Sequence, residues 1–246
     1  MYKTKYYERF KELYKDKKYA LAYAMSIKFP YIQQTPEYVN MEKNFQTSFE
    51  NAQKLILLNL PIKAKDQIAK YITVISKRNI LQLVINNTSN FRNFLFAYDN
   101  NDFKTCYEII DKDKNIKLLK ISILLERHWI NIMDKCKVFA KEGNISSIKE
   151  VLGDLILIKS RVEEIGSLLR ISFHIKIQQL LDTKDFYQAE NIIYSYIDIF
   201  GIDKEIKELM VIFEKVSYTI LAITHQNKKI LKNSWIDSEI TMCFDS

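Results

Sequence analysis

The side chains best suited to catalysis are few and far apart in this sequence. His128 and Cys136 are the closest histidine–cysteine pair, and on one helix they would lie about 12 Å apart. That separation is too long for a shared metal ion or for a nucleophile–base contact. No HExxH motif, CxxC pair or acidic calcium-binding loop occurs. We therefore expect no metal site and structural or surface roles for the histidines. The complete set is His128, His174 and His225, with Cys106, Cys136 and Cys243.

Phosphate-binding loops and acid–base pairs are also missing. The glycines are isolated, so neither GxGxxG nor GxxxxGK[ST] can be formed to hold a phosphate. Adjacent carboxylates such as Glu163 and Glu164 lie in charged stretches, whereas acid–base catalysis needs a cleft that shifts the pKa of its carboxyl groups. The sequence thus predicts a protein that is not an enzyme, with no catalytic residues, no cofactor and no small-molecule substrate. The four glycines are Gly143, Gly153, Gly166 and Gly201.

Positive charge is concentrated in the first third of the chain. The formal net charge is +7, and residues 1–80 contain 15 Lys and Arg against 7 Asp and Glu, a local excess of +8. Aromatic residues are interleaved with the cations, as on surfaces that bind RNA or single-stranded DNA. An acidic protein or an anionic membrane would also fit this surface. We predict a partner-binding surface formed by Lys3, Lys5, Arg9, Lys11, Lys15 and Lys18.

A simpler interpretation places the same aromatic residues in the core. Tyr6, Phe10, Leu13 and Tyr14 follow helical spacing, which favours burial of at least half of the N-terminal aromatics. The lysines between them would then form an ordinary solvated helix face.

Composition indicates an all-α protein. The chain has 4 glycines and 3 prolines in 246 residues, far below the usual frequencies of about 7% and 5%. Long helices joined by tight turns need few of these residues, whereas sheets need many. No apolar run approaches the ~20 residues of a membrane span, and no secretory signal is visible. With its odd, widely spaced cysteines, the chain is expected to be cytoplasmic.

A pattern recurs about every 42 residues. A polar turn is followed by an aromatic or apolar residue, then by a small or apolar residue three positions later. Another apolar residue precedes each turn. This arrangement predicts helical hairpins with turns near residues 16–18, 59–60, 99–102, 142–144 and 182–185. The third turn residues are Tyr19, Pro61, Phe103, Ile145 and Phe186.

The pattern resembles the second half of a tetratricopeptide (TPR) repeat, in which a G-D-Y turn precedes alanine by three residues. Asn101-Asp102-Phe103 with Cys106, and Lys184-Asp185-Phe186 with Ala189, match best. The period is 42 rather than 34 residues, and the first helix is expected to be longer, as in Asn115–Phe139. The resemblance implies a right-handed α-solenoid of about five antiparallel hairpins. The apolar stripe of Asp203–Gln226 predicts a C-terminal helix that caps the last hairpin.

We expect residues 1–226 to form one TPR-like domain and residues 227–246 to form a partly disordered tail. Stacked hairpins present an extended surface for macromolecules. The function predicted from this architecture is a non-catalytic protein–protein interaction scaffold within a larger assembly, with another, acidic protein as partner. The alternative is a helical-repeat protein that binds RNA or single-stranded nucleic acid. We rank it second because a repeat reader should carry basic positions in every unit.

Overall fold

The computed structural model describes residues 2–218 and Leu221, with side chains from Lys5 onward. All regular structure in this part of the chain is helical, which confirms the predicted all-α class. The chain divides into two compact units, Met1–Ile123 and Leu124–Ser246. Within the described residues, no helix combines the length and apolarity needed to cross a membrane.

The first unit is organised around its longest helix, α3. Its apolar face buries Met41, Phe45 and Phe49. The Phe45 ring packs edge-on against Tyr71 at a centroid distance of 5.1 Å, and Phe49 stacks on Phe91 at 6.1 Å. The helices of this unit are α1 (Tyr2–Lys15), α2 (Tyr19–Lys28), α3 (Pro36–Leu57), α4 (Pro61–Ile68), α5 (Arg78–Ile85), α6 (Thr88–Asp99) and α7 (Phe103–Lys112).

The second unit is organised around α10, which packs against the helices that follow it. Leu169, Phe173 and Ile177 of α10 are buried, and Phe173 contacts Tyr196 of α11 edge-on at 5.8 Å. The helices are α8 (Lys120–Lys141), which begins at the end of the first unit, α9 (Ile145–Leu152), α10 (Val162–Asp182), α11 (Phe186–Phe200) and α12 (Lys204–Ser217).

Five helices end in the same turn, and the turns fall at the predicted positions. In each turn one residue adopts a left-handed conformation, and the next amide donates to a carbonyl five residues earlier at 2.8–2.9 Å. This is the Schellman motif that ends many helices. The accepting residues are those singled out by the sequence pattern, Leu13, Leu55, Ala97, Phe139 and Leu180. The left-handed residues are Lys17, Asn59, Asn101, Gly143 and Lys184.

The small or apolar residue after each turn is fully buried. Because such a position lies one turn into the second helix, a small side chain there lets two helix backbones approach closely. The exposed fraction is 0% at Ala22, Ala64, Cys106, Ile148 and Ala189. The recurrence in the sequence therefore corresponds to a recurrent turn and a recurrent buried position.

Helix boundaries differ from the prediction in two places. The helix expected at Asn115–Phe139 begins later, at Lys120, because the Asp113 carboxylate accepts hydrogen bonds from the amides of Asn115 and Ile116 and holds them in a separate turn. α5 was also not predicted, since it lies between the hairpins of the 42-residue pattern.

The expected capping helix Asp203–Gln226 is present only as α12, Lys204–Ser217. The Asp203 side chain caps its first turn, accepting from the Ile206 amide at 2.9 Å, and Tyr218 ends it in a left-handed conformation. The rest of that prediction, apart from Leu221, and the tail at 227–246 lie outside the described residues.

Candidate nucleic-acid interface

Helix α1 carries most of the predicted binding residues, and its inner face is firmly packed. Phe10 and Leu13 are buried, with exposed fractions of 0% and 5%. The Tyr7 hydroxyl donates to the Glu37 carboxylate of α3 at 2.5 Å, which lowers the pKa of Glu37 and raises the pKa of Tyr7. Two turns further along α1, the Asn44 amide donates to the Tyr14 hydroxyl at 3.0 Å. The direction of the outer face of α1 is therefore fixed by contacts at two levels.

The outer face of α1 carries a net positive charge. The helix contains five cationic residues and two carboxylates, Glu8 and Glu12. Arg9 pairs with Glu12 at 2.8 Å and Lys11 with Glu8 at 2.8 Å. The bond to Glu8 raises the pKa of Lys11, whose ammonium also lies 4.9 Å from the centre of the Tyr7 ring.

Lys18 also forms an ion pair, with Asp16 at 3.3 Å. Three of the six predicted binding residues therefore form ion pairs with carboxylates that are close in the sequence. Exposed ion pairs contribute little to stability, so a polyanion can displace the carboxylate. Lys5 and Lys15 are exposed and make no ion pair with any described residue. The side chain of Lys3 lies outside the described part. The binding role of all six residues stays a prediction.

The aromatic residues of this third divide between the core and the surface. Phe10, Tyr19 and Tyr23 are buried, as the core interpretation requires. Tyr6, in contrast, is 37% exposed and stacks on Phe29 with a centroid distance of 4.1 Å. Some N-terminal aromatic residues therefore lie in the core and others at the surface. Helical spacing alone does not distinguish the two groups.

The histidine and cysteine predicted to be too far apart for chemistry occupy different environments. His128 is exposed on α8, beside a shallow depression that Asp134 and Lys135 also line. Cys136 is fully buried, and burial raises the pKa of its thiol. In the described residues, no group of three or more His, Cys, Asp and Glu side chains is placed to hold a metal ion.

His174 lies in a polar–aromatic cluster at the junction of three helices. Its ring packs on that of Tyr196 at 5.0 Å, and the Tyr196 hydroxyl donates to the Asp203 carboxylate. The Arg170 guanidinium lies 3.9 Å from Asp203 and covers the Phe200 ring at 4.8 Å. In the described part of the chain, the buried Nε2 of His174 has no hydrogen-bond partner. The cluster therefore joins α10, α11 and the start of α12.

His174 should make the second unit sensitive to acid. Burial lowers the pKa of His174, with Asp203 and Glu205 acting in the opposite direction. Because the unfolded chain keeps a histidine pKa of about 6.5, it binds the proton more readily, and stability should fall as the pH drops below that value. His174→Phe keeps the ring packing and removes the titration. Between pH 7 and pH 5, the melting temperature of His174→Phe should fall less than that of the wild type. The control variant His128→Gln, at an exposed position, should show the same fall in melting temperature as the wild type. Equal losses in all three proteins would contradict this role for His174.

Comparison with known proteins gives one informative match. No family model matches the sequence, and no solved structure matches the chain. Among curated proteins, the chain is similar to Endoribonuclease YbeY from Buchnera aphidicola subsp. Schizaphis graminum (strain Sg), with 28% identity over 167 residues. The match covers 64% of this chain and 98% of that relative.

This match contradicts three predictions made from the sequence. The sequence predicted a non-catalytic protein–protein scaffold, no enzymatic activity, and a protein partner in preference to nucleic acid. All three predictions are wrong, because the relative is an endoribonuclease. The error has a physical origin. We ranked RNA low because the positive charge is confined to one end, yet backbone contacts need only one positive surface. We excluded catalysis because the sequence lacks known catalytic motifs, but a motif detects only a residue spacing that is already known. The chain is similar, over nearly the whole length of that relative, to an enzyme named for cutting RNA.

Proposed function

We propose that this protein processes RNA, binding it on the outer face of α1 and cleaving it internally. The observation that carries the proposal is the similarity to an endoribonuclease over 98% of that relative's length. The basic surface of the first unit supports it independently, because RNA is a polyanion and contacts to its phosphates dominate affinity.

The charge distribution suits contacts to an RNA backbone. The +8 excess in residues 1–80 lies within the first compact unit. Lys5 and Lys15 lie ten residues apart on α1, which separates them by about 15 Å along the helix axis. Two exposed ammonium groups at that spacing can reach different phosphates of one strand. Arg9 and Lys11, placed between them, add to the positive potential when their weak pairs open.

The helical framework of the proposal is the one expected from the sequence. We propose that the hairpins stack as a right-handed, TPR-like α-solenoid of about five hairpins with α12 as the cap, in a cytoplasmic protein. The five identical helix-ending turns, spaced by 41 or 42 residues, support this arrangement.

Charge reversal on α1 tests the RNA contact. Lys5→Glu with Lys15→Glu should weaken binding of a fluorescent single-stranded RNA at least tenfold in an anisotropy titration. Losing two phosphate contacts should also reduce the slope of log affinity against log salt by about 1.4, at about 0.7 per contact. The circular-dichroism spectrum should be unchanged, since both side chains are exposed.

A matched control separates local contact from net charge. Lys204→Glu with Lys207→Glu makes the same change in charge at exposed positions of α12 in the second unit. This variant should keep affinity close to that of the wild type. Equal losses for both double variants would mean that the α1 surface has no special role, and no RNA binding by the wild type would overturn the proposed function.

A further inference from the structure

A partly exposed aromatic cluster lies where the apolar stripe of α1 extends beyond the core. Tyr6, Phe10 and Leu13 lie on one face of the helix at spacings of four and three residues. Phe10 and Leu13 are buried, whereas Tyr6 is 37% exposed. Its ring is offset-stacked on Phe29 at 4.1 Å with an interplanar angle of 19°. The stripe therefore ends in a stacked ring pair that solvent still reaches.

The second ring of this pair is held by a rigid segment. Phe29 closes α2, donating its amide to the Met25 carbonyl at 2.9 Å. Pro30 follows and begins a 3₁₀ turn, Pro30–Gln34, that places Tyr31 with its ring centre 6.3 Å from that of Phe29. Proline fixes the backbone there, so presenting the rings to a ligand costs little conformational entropy.

Two lysines lie at or next to residues of the cluster. The Lys28 ammonium lies 5.7 Å from the centre of the Phe29 ring, and exposed Lys5 precedes Tyr6 in α1. Rings with a stacking face beside cations are the combination that binds single-stranded nucleic acid, because each base can stack while phosphates meet the cations. A duplex keeps its bases stacked inside the helix and offers no face to these rings.

We propose that Tyr6, Phe29 and Tyr31 form a base-stacking site that binds unpaired RNA. This inference rests on the proposed function and adds the class of RNA and the residues that select it. Stacking makes the site different from the Lys5 and Lys15 contacts: it contributes affinity without neutralising phosphates.

The test compares unpaired and paired RNA on the intact chain. Tyr6→Ala should weaken binding of an unstructured 12-nucleotide RNA by about 5- to 150-fold, the range expected for one lost base–aromatic stack. Binding of a blunt duplex of the same length should not change, and the salt slope should stay as in the wild type. Tyr6→Phe keeps the ring and should bind as the wild type does. Phe96→Ala, at a 63% exposed ring on α6 of the same unit, is the matched control and should have no effect.

A second measurement needs no variant and so does not depend on folding. A single 2-aminopurine in the unpaired RNA should lose fluorescence on binding wild-type protein, because stacking on a ring quenches it. Unchanged affinity in Tyr6→Ala, or equal wild-type affinity for duplex and unpaired RNA, would overturn the stacking site while leaving RNA binding in place. Equal competition by polyglutamate would also overturn it, assigning the surface to acidic proteins. If neither RNA binds at all, the proposed function fails as well.

Discussion

Replacing Arg161 with alanine is expected to lower the free energy of unfolding by about 3–5 kcal/mol, the usual cost of removing one partner from a buried ion pair. The Arg161 side chain is only 8% exposed and its guanidinium lies 2.6 Å from the Glu126 carboxylate. It also lies 4.5 Å from the centre of the Trp129 ring, whose nitrogen donates to Glu164 at 3.0 Å. Alanine would remove the cation that pairs with Glu126 and the guanidinium that packs on the Trp129 ring.

Urea unfolding followed by circular dichroism measures this loss. Because the Glu126 side chain is 27% exposed and can regain water, the lower end of the range is expected. The Lys137–Asp134 pair on α8, at 2.8 Å with both side chains about 60% exposed, supplies the control. Lys137→Ala should lower the free energy of unfolding far less than Arg161→Ala does, because an exposed pair contributes little. Similar losses in the two variants would mean that burial does not strengthen the Arg161 interaction.

Gly143→Ala should destabilise the second unit by about 2–4 kcal/mol, combining about 1–2 kcal/mol for a left-handed non-glycine residue with the cost of overpacking. Gly143 has φ +68°, and an added Cβ would lie 2.9 Å from the Lys176 amide nitrogen and 3.1 Å from its Cα. These are backbone atoms of α10 and cannot rotate away. The Gly143 turn therefore needs glycine for the close approach of α10 as well as for its conformation.

The equivalent turn at Lys184 provides the comparison. Lys184 already has a side chain at φ +59°, so the left-handed conformation alone does not exclude one. Lys184→Ala should change stability by less than about 0.5 kcal/mol. Thermal and urea unfolding of the two alanine variants would decide the matter, and a Gly143→Ala protein as stable as the wild type would show that α10 can move aside.

The local framework could be predicted from the sequence because turn chemistry is local. A Schellman turn depends on a few residues in succession, so the pattern around Asn101-Asp102-Phe103 was visible without any tertiary information. The late start of α8 was not, because it depends on the Asp113 side chain capturing two amides that a helix prediction assigns to α8. The pairing of Arg161 with Glu126 joins residues 35 positions apart, a contact that periodicity does not reveal.

The candidate site was only half visible in the sequence. The positive residues of α1 could be listed from composition, but local pairing of Arg9, Lys11 and Lys18 depends on side-chain geometry. Phe29 stacks on Tyr6 across 23 positions, so helical spacing gave no signal of the partly exposed ring pair. Function was assigned by analogy with stacked hairpins, and a fold alone does not specify what it binds.

Incubation of RNA with the purified protein would show whether this chain cuts RNA internally. A single-stranded RNA labelled at both ends with different dyes would be incubated with the full chain, in divalent metal and in chelator, and resolved on a denaturing gel. We expect internal cuts that give two sets of shorter products, each set carrying one of the two dyes, and loss of these products in the Lys5→Glu, Lys15→Glu variant. Intact RNA under both conditions, with no binding in a parallel titration, would contradict it.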